Sequence, residues 1–200
     1  ETESRLSRAL LKIADHELQI ENLRVRLAEE RDFEPYTTFK RIDRDGKGWI
    51  STSDLINFMD DNNIYISHAD SLVLLKLYDF SGNGKIDYKE FSYSVLPQNN
   101  TTWKGIANGR GSYFVGRNEL LPIEVEDALS RLLERELQLY KDMEVDKEVL
   151  AERYDFNVLD AFRSIDIDRY GYVDYEALRI FFDRNREVAY TQDIEGVVRR

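Results

Sequence analysis

The stretch Asp79 to Glu90, DFSGNGKIDYKE, limits what this chain can fold into more than any other. Asp79, Ser81 and Asn83 stand at its first, third and fifth positions, Asp87 at its ninth and Glu90 at its twelfth. Gly84, at the sixth, allows a sharp turn where a Cβ would be in the way. Ile86, at the eighth, is β-branched and suits a short strand pairing with a neighbouring loop. A hard cation of calcium's size takes about six to eight oxygens at roughly 2.3–2.6 Å. The stretch offers them in order: side-chain oxygens of Asp79, Ser81 and Asn83, the carbonyl of Lys85, Asp87 directly or through a water, and both oxygens of Glu90. The expected ligand is Ca²⁺. An acidic surface turn does not explain Gly84, Ile86 and Glu90 falling together at these offsets.

Such a loop joins two helices. Ser67 and Asp70 can cap the leading one, with Leu72, Leu75 and Tyr78 on its face, and Phe91 and Val95 line the trailing one before Pro97. A second loop of the same pattern, DRDGKGWISTSD, runs from Asp43 to Asp54. Asp43, Asp45, Gly48, Ile50 and Asp54 hold positions 1, 3, 6, 8 and 12, and Trp49 would offer its carbonyl at position 7. Lys47 brings a cation to position 5, where an oxygen is needed, and Asp54 is one methylene shorter than Glu, which favours a smaller ion such as Mg²⁺ in relative terms. Asp43, Asp45, Trp49 and Asp54 therefore form a weaker second candidate site. Ile50 and Ile86 are expected to face each other across a two-stranded bridge.

The fold expected is all-α, with long helices joining paired helix–loop–helix units. Thr2–Glu30 has no Gly or Pro and carries two apolar stripes, Leu6, Ile13, Ile20 and Leu27 on one side and Leu11, Leu18 and Val25 on another. LSR at Leu6 recurs at Leu129, and Asp32-Phe33 recurs at Asp155-Phe156, both 123 positions on. A long helix followed by loops is thus duplicated. The expected divisions are a long helix over 1–31, a loop pair over 32–96, a connector over 97–121, a second long helix over 122–154 and a second lobe over 155–200. The third loop, DIDRYGYVDYEA from Asp166 to Ala177, keeps Asp166, Asp168, Gly171, Val173 and Asp174. It has Tyr170 at position 5 and Ala177 at position 12, which removes the bidentate carboxylate, so a structural role is expected. The spacing between Asp43 and Asp79, carried on from Asp166, points past Arg200, so a fourth loop is expected beyond the sequence. Without it, Phe181, Phe182, Val197 and Val198 are expected to be poorly covered.

The three loops resemble those of the EF-hand superfamily, of which calmodulin and centrin are typical. The resemblance implies calcium ligation by the six residues of the loop at 79–90 and does not carry the family's full stoichiometry to the other two. SVLPQNN at Ser94 to Asn100, and LPIEVEDALSRLLERELQLY at Leu121 to Tyr140, resemble segments of multi-hand proteins of ciliates and other protists. That likeness implies protein partners among axonemal or cytoskeletal filaments, and a cytoplasmic, cytoskeletal or ciliary setting.

Composition narrows the function classes. The net charge is −11, from 39 acidic and 28 basic residues, which disfavours nucleic acid as a partner. No cysteine is present, so neither a disulfide framework nor a thiolate site exists. No apolar run is long enough for a membrane span. His16 and His68 stand alone on helices and are expected to be solvated, which gives no footing for an enzyme. A scaffold with one competent calcium site is favoured over a calmodulin-like sensor, because sensor grooves are often Met-rich and this chain has 2 methionines.

Overall fold

The computed structural model of the protein describes residues 2–199. They form helices α1 (Thr2–Glu29), α2 (Pro35–Ile42), α3 (Thr52–Asp61), α4 (His68–Tyr78), α5 (Tyr88–Val95), α6 (Thr101–Asn108), α7 (Ile123–Ala151), α8 (Val158–Ile165), α9 (Tyr175–Arg184) and α10 (Thr191–Arg199). The chain is all-α, and its β pairing among the described residues is one isolated antiparallel bridge, Ile50 with Ile86. Two compact units emerge among the described residues, one of residues 2–19 with 139–199, the other of residues 20–138.

The unit of residues 20–138 is built around two helix–loop–helix elements, α2–α3 and α4–α5. Their starts are written locally. Ser51 with Asp54, Ser67 with Asp70 and Asp87 with Glu90 each form a reciprocal capping box that satisfies free N–H groups of the first turn. At α2, Pro35 takes the first helical position, and the Glu34 carboxylate accepts from the N–H groups of Tyr36 and Thr37 at 3.0 and 2.6 Å. The apolar faces meet in a core of Phe33, Phe39, Ile42, Phe58, Met59, Leu74 and Phe91, all 3 % exposed or less. Phe39 lies 5.8 Å from Phe91 and 5.7 Å from Tyr88, centroid to centroid. Leu129, Leu132 and Leu133 of α7 are also buried.

The stretch 97–121 contains α6 and is fastened within the same unit. Glu21 of α1, 5 % exposed, accepts from the backbone N–H groups of Gln98, Asn99 and Asn100 at 2.9, 2.7 and 3.3 Å. The Arg110 guanidinium donates to the carbonyls of Ala28, Glu30 and Phe33 at 2.7–2.8 Å. Of these, the Ala28 carbonyl lies in the last turn of α1, where no intrahelical N–H is left for it, and the other two lie just beyond the helix, so a cation there also opposes the negative end of the helix dipole. Composition made this stretch look like a connector because its glycines and asparagines interrupt periodicity. The acid and the guanidinium that hold it lie about 80 residues away in sequence from what they bind.

In the other unit the core is Ile165, Leu178, Phe181, Phe182 and Ile194, with Leu6, Leu10 and Leu11 of α1 packed against it. Phe181 and Phe182 are 0 % and 1 % exposed. The expectation of poor cover fails for these two, because the first turns of α1 and helix α10 lie over them. It holds for Val198, which is 55 % exposed. His16 is buried on α1, not solvated as expected, while His68 is exposed at the start of α4.

Candidate metal-binding loops

The three loops share one backbone scaffold despite their different side chains. In each, the first-position carboxylate accepts from the N–H groups of positions 5 and 6. Asp43 accepts from Lys47 and Gly48 at 3.1 and 2.7 Å, Asp79 from Asn83 and Gly84 at 3.1 and 2.7 Å, and Asp166 from Tyr170 and Gly171 at 2.9 and 2.8 Å. The sixth residue has a positive φ every time, +87° at Gly48, +78° at Gly84 and +82° at Gly171, which is the backbone region glycine enters without a Cβ penalty. Loop shape therefore depends on positions 1 and 6.

In the loop at 79–90, Ser81 sits between the two ends of the candidate ligand set. Its hydroxyl donates to Asp79 Oδ1 at 3.3 Å and its N–H to Glu90 Oε1 at 2.9 Å. Glu90 Oε2 accepts from the Asp87 N–H at 3.0 Å, and Asp87 returns the bond to the Glu90 N–H. Burial acts to raise the Asp79 carboxyl, but bonds from Gly84, Asn83, Ser81 and Gly82 outweigh it and hold the group below its usual range. Asn83 Oδ1 accepts from the Lys85 N–H, and the Lys85 ammonium lies 4.2 Å from the centre of the Trp49 ring in the neighbouring loop. The donor set is all oxygen, and a carboxylate already fixed as an anion needs no proton removed before it meets a cation. These residues fit Ca²⁺ in kind and order. Among the described residues no three His, Asp or Glu side chains already converge as a metal cluster. The acid oxygens of this loop face its own N–H groups, and Asp79, Ser81, Asn83, Lys85, Asp87 and Glu90 would hold a cation through the lone pairs those bonds leave.

In the loop at 43–54 the same positions are engaged differently. The Lys47 ammonium lies 2.9 and 3.1 Å from the two oxygens of Asp54 and 3.4 Å from Asp43 Oδ1. Burial opposes its charge, yet the bond and charge of Asp54, then Asp43, raise its pKa above the ordinary lysine value. Asp45 is paired outward with Arg117. Sequence reading recognised Lys47 as misplaced but not Arg117, which comes from the stretch 97–121. The loop at 166–177 keeps Asp166, 5 % exposed, and caps α9 with Asp174, while Tyr170 and Tyr172 stack with ring centres 5.8 Å apart.

A buried polar cluster ties the first helix–loop–helix to α7. Glu126, 0 % exposed, accepts from Arg41 Nε at 2.7 Å and Nη2 at 3.2 Å, from Asn62 Nδ2 at 2.7 Å and from the Leu121 N–H at 2.9 Å. Arg41, itself 3 % exposed, also reaches Asp61 at 3.1 Å. Thus α2, the end of α3 and the start of α7 converge on one carboxylate. The sequence carried a faint signal: Glu126 interrupts the stripe that Leu129 and Leu133 continue, and an acid on an apolar face needs a partner.

Comparison with known families bears on this geometry. Residues 34–96 match the model of the EF-hand domain pair, a match that supports a place in the EF-hand superfamily for that stretch and, with it, calcium binding. It takes in α2 to α5 and the loops at 43–54 and 79–90. No curated protein matches the chain closely enough to count as a relative.

Proposed function

Starting from an EF-hand pair over residues 34–96, we propose that the chain is a calcium-binding scaffold. In this reading its ion chemistry resides in Asp79, Ser81, Asn83, Lys85, Asp87 and Glu90, and its hands serve chiefly as docking modules for protein partners. The observation that carries the reading is the Glu126 cluster. A sensor hand spreads its two helices to expose a groove when calcium binds. Spreading α2 from α3 here would pull Arg41 from Asp61, or pull Arg41 or Asn62 from Glu126, and breaking the fully buried Arg41–Glu126 pair costs about 3–5 kcal/mol. The proposal assigns no catalytic role. Its cytoskeletal or ciliary setting rests on the resemblance of the segments at 94–100 and 121–140 alone. Among the described residues no helix is long and apolar enough to cross a membrane.

Apolar-dye fluorescence on the full chain with and without calcium tests the scaffold reading, with calorimetry run alongside. The expected result is calcium uptake with little change in dye binding. A several-fold rise in dye signal on calcium loading would overturn the scaffold in favour of a calmodulin-like sensor, and absence of any heat of binding would remove the calcium role.

A further inference from the structure

We infer that Lys47 is a tethered cation that stands in for the metal in the loop at 43–54, and so acts as a positioning residue for calcium binding at 79–90; the second half of this inference rests on the calcium-hand reading above. A metal in such a loop joins the first-position carboxylate to both oxygens of the twelfth-position one. The Lys47 ammonium makes the same connection. Its three N–H donors face Asp54 Oδ1, Asp54 Oδ2 and Asp43 Oδ1 at 3.1, 2.9 and 3.4 Å. Asp43 and Asp54 are 3 % and 7 % exposed, so two carboxylates drawn into the protein have their counter-charge supplied by the chain. The third acid of the loop, Asp45, is turned to Arg117.

The consequence reaches the neighbouring loop by a short route. Asp54 Oδ2, held by Lys47, also accepts from the Ser51 N–H at 2.7 Å and its hydroxyl at 2.6 Å. Ser51 follows Ile50, whose N–H donates to Ile86 O at 2.8 Å and whose carbonyl accepts from the Ile86 N–H at 3.1 Å. Both isoleucines are 0 % exposed. Ile86 lies between Lys85 and Asp87, two of the candidate ligands, and Lys85 additionally stacks over Trp49. A loop fixed by its own lysine therefore presents a fixed strand to the loop that takes the ion. The ordering cost that a first metal would otherwise meet is already met.

Calcium titration of the full ¹⁵N-labelled chain, with Lys47→Met and Lys47→Asn beside it, decides the matter. Wild type is expected to bind one calcium, with the Gly48 amide slow to exchange in calcium-free buffer. Lys47→Met keeps the stem and deletes the charge; its Gly48 amide should exchange faster, and affinity at 79–90 should fall by about fivefold or more. Lys47→Asn puts an oxygen at position 5 and should raise uptake to two ions. The inference is overturned if wild type takes a second ion that shifts Gly48, or if Lys47→Met changes neither Gly48 exchange nor affinity. Should no variant bind calcium at all, the calcium-hand reading fails by itself, and the Gly48 exchange comparison in calcium-free buffer still decides whether Lys47 holds its loop.

Discussion

Glu126→Gln is the substitution that tests the buried cluster most severely, because the replacement is nearly isosteric. Each Glu126 oxygen accepts two donors: Oε1 from Arg41 Nε and the Leu121 N–H, Oε2 from Arg41 Nη2 and Asn62 Nδ2. A glutamine amide turned either way sets its NH₂ against two donors, and no flip resolves the conflict. The Arg41 charge then keeps Asp61 as its acid partner, which is 30 % exposed at its side chain. Removing one member of a buried pair costs about 3–5 kcal/mol, and the retained Asp61 contact argues for the lower half of that range. With a urea slope of about 2 kcal/mol per M, a loss near 3 kcal/mol lowers the midpoint by roughly 1.5 M. Trp49 and Trp103 both lie in the unit of residues 20–138, so tryptophan fluorescence follows that unit's transition directly. Replacing both partners, as Arg41→Met with Glu126→Leu, should cost less than the single change, because no buried charge is left over. A loss below about 1 kcal/mol for Glu126→Gln would mean that the pair behaves like an exposed one, and the argument against hand opening would go with it.

Glu90→Gln removes one of the two oxygens offered at position 12, and calcium affinity by calorimetry should fall at least about tenfold; unchanged affinity would show that the ion is held elsewhere. Because the Lys85 ammonium sits 4.2 Å from the Trp49 ring, Trp49 fluorescence should respond to calcium at 79–90, and that response should vanish in Glu90→Gln. Glu21→Gln deletes the charge that gathers the N–H groups of 98–100, a charge-assisted contact worth about 1.5–3 kcal/mol. Amide exchange at Gln98, Asn99 and Asn100 should quicken by roughly tenfold or more, and retained protection would assign the order of 97–121 to α6 alone. Bonds from Arg153 and then Thr2 lower the Asp155 carboxyl to about 2 from an ordinary 3.8. Its folded pKa is depressed, so the contribution is present above about pH 4 and is lost as pH falls through 2. A carboxyl NMR titration giving a midpoint near 4 would show that the tie to the start of α1 does not persist in solution.

Local chemistry made much of this chain legible. The serine and aspartate caps, the glycines at position 6 and the β-branched residues at position 8 act over a few residues. The loops, the flanking helices and the Ile50–Ile86 bridge could therefore be read from spacing alone. The 123-residue repeat likewise announced a second long helix and a third loop. What escaped is long-range and electrostatic. Glu21, Arg110, Arg117 and Glu126 look like ordinary surface charges in a sequence that is 34 % charged. Nothing within one helical turn distinguishes an acid that meets solvent from one that meets a guanidinium 85 residues away.

The same division runs through the loops themselves. Sequence alone determined which loop carries oxygen at each required position, since donor identity is a property of the residue. Only tertiary structure decided what the other charges do: Lys47 turns inward onto Asp54 and Asp43, and Arg117 takes Asp45 outward. Loop shape needs only the first aspartate and the sixth glycine. Charge balance is free to be met by a metal in one loop and by the chain's own cations in the next, and that choice is made by side chains brought close through folding.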